Sequence, residues 1–129
     1  MKRLALILIL ALCVAGCTKD ERQIQGVWAL IDYQCFMNGS QTLASTDIKT
    51  WTFKKDGIGY INGETPIEYK KIGSDLTITY IQSGKSKTYE IQELTDTRLQ
   101  VFQSTPRFYI KPGEYLDGHD DVYIFKRIE

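Results

Sequence analysis

Few residues of this 129-residue chain are equipped for chemistry, and most of those stand alone. The single histidine lies in Asp117-Gly118-His119-Asp120-Asp121, among three carboxylates. Oxygen-rich sets of this kind suit a hard cation such as calcium. The spacing matches no calcium loop, and glycine among acids is also ordinary turn chemistry. The segment is therefore read as a turn, with no metal and no cofactor expected. A serine nucleophile needs a positioned base, which a histidine in a turn-rich segment does not supply. Glu68, Glu90 and Glu93 fall on outward or terminal strand positions, so they do not form the facing carboxylate pair of glycoside chemistry. Gly57-Ile58-Gly59 opens a strand rather than a helix and cannot cradle a phosphate. No catalytic residue is expected, and the chain is not read as an enzyme.

The remaining candidates are aromatic. Tyr60, Tyr69, Tyr80, Tyr89 and Tyr123 recur at positions that would face one side of successive strands. Apolar walls with a few hydroxyl handles describe a small-molecule pocket; the same residues also suit plain core packing. The elements that would position them follow a period of two, with no helical period beyond about two turns. Alternating or apolar segments at 27–31, 50–54, 58–60, 67–70, 76–80, 88–92, 98–101 and 122–128 read as eight strands. Asp56-Gly57, Asn62-Gly63, Gly73-Ser74-Asp75 and Ser83-Gly84 mark turns between them. Short connections force sequential antiparallel neighbours. An open meander of eight strands would leave two bare edges, and closure removes both. The expected fold is all-β: an eight-stranded antiparallel up-and-down barrel, with a two-sheet sandwich as the alternative.

Two connections are long, 34–47 and 103–120, and the second has room for a short strand at 108–110. Cys35-Phe36-Met37 is read as the buried end of the first strand, with a cap on the barrel mouth as the alternative. Composition agrees with one folded domain: 43% hydrophobic, 12% aromatic and 25% charged residues. The formal net charge is zero. No basic excess exists to hold a phosphate backbone, so nucleic acid is excluded as a partner.

The start of the chain is different in kind. Met1-Lys2-Arg3 precedes an apolar run over 4–15. The run is shorter than the roughly 20 residues of a spanning helix and fits the core of a secretory signal. It ends in Val14-Ala15-Gly16-Cys17, which resembles the lipobox of bacterial lipoproteins. That resemblance implies a signal peptide at 1–16, cleavage before Cys17 and lipidation of Cys17, with 17–23 as a lipidated tether. Lys19-Asp20-Glu21 is similar to the export signal of Bacteroidota-type surface lipoproteins. The expected partner is thus a lipid bilayer, and the expected place the outer membrane, at its periplasmic face or the cell surface. Processing would leave 14 basic and 16 acidic residues, a net charge of −2, and Cys35 as the sole thiol. An intramolecular disulfide is then ruled out.

The body, 24–129, resembles the small bacterial lipocalin-like lipoproteins. Gly26-Val27-Trp28 is similar to the Gly-x-Trp of lipocalins. Thr52-Phe53-Lys54-Lys55-Asp56-Gly57, the Tyr-x-x-x-Gly-x-x-Leu segment from Tyr69 to Leu76, the late strands around Tyr89 and Leu99, and the closing strand 123–127 follow in the family's order. The resemblance implies an eight-stranded barrel in which a basic residue of the last strand lies over the tryptophan. Arg127 is the matching residue, with Lys126 in reserve; Gly26, Trp28 and Arg127 form the structural signature. It also implies, loosely, an apolar ligand. The Trp28 end would be plugged, so a ligand would enter at the other end. Tyr60, Tyr80, Tyr109 and Tyr123 are the pocket candidates, with Phe108 and Tyr115 as lid residues. Two functions follow: a small apolar or amphipathic ligand held in the barrel, or a protein-interaction module, such as an inhibitor or accessory subunit, with a filled barrel.

Overall fold

The structure, a computed structural model, describes residues 22–129. The expected signal peptide, Cys17 and all but the end of the tether lie outside the described residues. The strands are β1 (Gly26–Met37), β2 (Ser40–Thr42), β3 (Thr50–Phe53), β4 (Ile58–Ile61), β5 (Thr65–Ile72), β6 (Asp75–Tyr80), β7 (Ser86–Leu94), β8 (Arg98–Thr105), β9 (Phe108–Lys111), β10 (Glu114–Leu116) and β11 (His119–Arg127). Each of β3 to β8 pairs antiparallel with its sequence neighbour. β8 pairs with β11, and β1 closes the cylinder by pairing with both β11 and β3. Eight strands thus form a closed antiparallel barrel of the lipocalin-like kind, with no long bare edge. Among the described residues, no helix is long and apolar enough to cross a membrane.

Period-two alternation puts one face of every strand of the cylinder inside. Trp28, Trp51, Phe53, Ile67, Leu76, Ile78, Tyr89, Leu99, Val101 and Phe125 are buried together in one core. Ile91, which follows buried Tyr89 on the same face of β7, is only partly buried. The ladder shifts register between Ile91 and Glu93, and the bulge turns the strand there.

Both long connections contain strand. β1 runs on through Cys35-Phe36-Met37 and folds back on β2, with Met37 opposite Ser40. Asn38 and Gly39 both take positive φ, as a two-residue hairpin turn of this type requires. The 103–120 segment extends β8 to Thr105 and starts β11 at His119, leaving β9 and β10 as a separate hairpin. That hairpin includes the expected strand at 108–110.

Strand directions sort the connections to two ends. The start of β1, the β3–β4, β5–β6 and β7–β8 turns and the C-terminus share the closed end. The β1–β2 hairpin, the β4–β5 and β6–β7 turns and the β9–β10 hairpin crown the other end, the mouth.

Candidate functional site

The closed end is built around Trp28. Its indole N–H donates to the Ile24 carbonyl at 2.8 Å, and Ile24 itself is buried beneath it. The Arg127 guanidinium lies 4.3 Å from the centre of the Trp28 ring. The same guanidinium donates to the carbonyls of Asp96 (2.7 Å), Gln23 (2.8 Å) and Gln25. A planar fork of five N–H donors meets three carbonyls and an aromatic face at once, which a lysine could not do. Gly26 is required beside it: a Cβ there, at φ +134°, would lie 2.4 Å from both the Arg127 side chain and the Glu129 carbonyl oxygen.

Above this plug the interior holds rings in mutual contact. Trp51 stacks on Phe125 with centroids 4.5 Å apart and meets Tyr89 edge-on at 5.1 Å. Phe53 meets Tyr69 at 4.8 Å, and Tyr89 meets Tyr123 at 5.8 Å. The Trp51 indole nitrogen is buried without a hydrogen-bond partner. A groove of about 630 Å³ lies on the barrel's outer wall, bordered by Ile58, Glu68, Lys70, Thr77 and Thr79.

The expected pocket residues separate. Tyr123 is buried and faces inward, its ring tilted against that of Tyr33 at 4.9 Å; burial pushes its hydroxyl up to about 12. Tyr80 is partly buried against the core, and burial raises its pKa as well. Tyr60 does not face inward. β4 is phased on buried Gly59 and Ile61, so Tyr60 stands on the outer wall opposite Thr52 and Pro66, with the Lys54 ammonium 5.2 Å from its ring centre. The phase is set at Gly59, where a Cβ would sit 2.0 Å from the Thr52 carbonyl oxygen. Phe108, Tyr109 and Tyr115 line no part of the interior. They sit on the β9–β10 hairpin, exposed at 65%, 72% and 47%, with Tyr109 opposite Tyr115 and Phe108 opposite Leu116. Arg107 lies 4.1 Å over the Tyr115 ring and 3.6 Å from Asp117.

A further group at the mouth escaped the sequence reading. Cys35 on β1 stands directly opposite Asp121 on β11. His119 lies two residues before Asp121, and Tyr33 two residues before Cys35, so all four share the inner face. Tyr33 donates to Asp121 Oδ1 at 2.6 Å, and Asp121 Oδ2 lies 2.8 Å from His119 Nδ1. Burial and that carboxylate together drive the Tyr33 hydroxyl far above its ordinary pKa. Only the register of the β1–β11 ladder joins residues so distant in sequence. The alternation His119, Asp121, Tyr123, Phe125, read back from the last strand, was the one available signal.

Comparisons with protein families, with curated proteins and with solved structures find no match to this chain.

Proposed function

We propose that the chain is a lipocalin-like lipoprotein, anchored in the outer membrane by lipids on Cys17, that works as a protein-interaction module. One observation carries this reading over that of a ligand carrier: Phe108, Tyr109 and Tyr115, half of the residues expected to form a pocket and lid, stand outward on a hairpin, while the interior holds aromatic rings. Phe108, Tyr109, Ile110, Tyr115 and Leu116 are all about half exposed or more. A two-stranded hairpin pairing only with itself is marginal in water, and clustered exposed apolar side chains mark a contact surface. The tether enters at the closed end, and the hairpin crowns the mouth. The barrel would therefore present these side chains away from its anchor, towards a partner protein that offers an apolar surface.

The second reading, a small apolar or amphipathic ligand inside the barrel, draws on the Trp51 indole N–H, a buried donor with no acceptor.

A photoreactive residue placed at Tyr109, in cells that naturally make the protein, tests the choice against the same residue at Lys87. A discrete protein adduct at 109 and none at 87, with no saturable binding of a fluorescent fatty acid, is expected. Saturable fatty-acid binding without an adduct would overturn it. The anchor is tested separately: fatty-acid labelling should vanish in Cys17→Ala, and persistent labelling would refute the lipidation.

A further inference from the structure

The group at the mouth has a chemistry of its own, which does not rest on the interaction reading. The Cys35 sulfur, a His119 ring nitrogen and an Asp121 carboxylate oxygen all lie within 4.8 Å of one another. Cys35 and Asp121 are 5% and 2% exposed, while His119 is a third open to solvent. A buried carboxylate is costly unless it is paired. Tyr33 satisfies one oxygen of Asp121, and the other is turned towards His119. His119 Nδ1, although 2.8 Å from that oxygen, is buried and makes no well-formed hydrogen bond. A carboxylate oxygen and an imidazole nitrogen thus converge beside a thiol.

We propose that Cys35, His119 and Asp121 form a binding site for one zinc(II) ion. The donor set decides the class of metal. Thiolate and imidazole suit a borderline-soft transition ion and exclude calcium or magnesium, which take oxygen ligands. Three protein ligands of mixed S, N and O type leave a fourth tetrahedral position for water or a partner's side chain. Tetrahedral zinc, with bonds of about 2.0–2.3 Å, sets its ligand atoms roughly 3.3–3.8 Å apart. Asp121 Oδ2 and His119 Nδ1, 2.8 Å apart, would open to that spacing, and the Cys35 sulfur, within 4.8 Å, would close to it. Binding expels the Cys35 proton to solvent, as a thiol must become a thiolate to coordinate. Tyr33 acts as a positioning residue, holding one carboxylate oxygen so that the other points at the ion. The exposed edge of His119 gives the route in. A buried thiol at the bottom of such a site is out of reach of a bulky electrophile but not of an ion.

The test uses the full chain and measures zinc stoichiometry by elemental analysis, affinity by competition with a chelating dye, and the thiolate-to-metal charge-transfer band after cobalt(II) substitution. About one zinc per chain is expected, with a cobalt–thiolate band that disappears in Cys35→Ala. His119→Gln, at the solvent edge, should keep the fold and weaken zinc binding about 100-fold or more, beyond the 10–100-fold typical of outer-shell changes. Tyr33→Phe should weaken it about 10-fold. If Asp121→Asn fails to fold, His119→Gln still decides. Substoichiometric zinc in the wild-type chain, or zinc binding unchanged by both Cys35→Ala and His119→Gln, would overturn the site.

Discussion

The guanidinium of Arg127 covers the Trp28 ring at 4.3 Å and ties down the chain on either side of Ile24, through the carbonyls of Gln23 and Gln25. One side chain of the last strand thereby fixes the entry of the first. Arg127→Met removes a cation–π contact and the hydrogen bonds to three carbonyls, and should cost about 2–4 kcal/mol. Arg127→Lys keeps the charge but not the planar fork, and should recover less than half of that loss. Urea denaturation midpoints of the two variants give the comparison.

Trp28 and Trp51 are equally buried but differently satisfied. The Trp28 N–H has an acceptor and a cation over its face; the Trp51 N–H has no acceptor. Trp28→Phe should therefore destabilise the barrel by about 1–3 kcal/mol more than Trp51→Phe. Equal losses would mean that ring volume alone governs both sites.

Two glycines make opposite demands. Gly59 is needed for space, since its Cβ would strike the Thr52 carbonyl. Gly63 stands in open space and is needed only for its φ of +68°. Gly59→Ala should cost at least about 3 kcal/mol or prevent folding. Gly63→Ala should cost about 1–2 kcal/mol, and Gly63→Asn less, because asparagine tolerates the left-handed region. Thermal and denaturant unfolding of the three variants separate the mechanisms.

Tyr89 is buried deep in the ring column, and that burial holds its hydroxyl far above the ordinary value. The raised value in the folded state fixes the sign. Its contribution to stability is complete below about pH 10, the unfolded tyrosine pKa. It is lost as pH climbs from there towards the folded value. The urea midpoint should therefore fall progressively above pH 10, and Tyr89→Phe should flatten that fall.

The barrel was legible because its signals are local. Turn residues and period-two alternation need no knowledge of the partner strand, and they locate every strand of the cylinder. Phase was harder. In β4 the pattern Ile58, Tyr60 looked as apolar as Gly59, Ile61, and only the approach of Thr52 to Gly59 decides between them. The mouth was hardest. His119 and Asp121 sit in a stretch rich in turn formers, so they read as a loop; pairing of His119 with Thr105 and of Asp121 with Cys35 makes them strand. No spacing within 117–121 could reveal a third donor on the other side of the closure. The same blindness sent Phe108 and Tyr115 to a lid and Tyr109 to the pocket, when their strands pair with each other and leave the rings outside.

The β1–β11 seam has a mechanical meaning. A membrane tether would pull on β1 from the closed end, while a partner on the β9–β10 hairpin would pull on β11 from the mouth. These neighbours are antiparallel, so the two pulls act along the strands in opposite senses. The ladder from Trp28 with Arg127 to Phe36 with Asp120 would then be loaded in shear, its bonds stretched together instead of unzipping one after another. Resistance to force is set by the unfolding barrier, and shear places that barrier across the whole seam. The strand pair that closes the barrel would then be the one to carry tension between a membrane anchor and a partner on the hairpin.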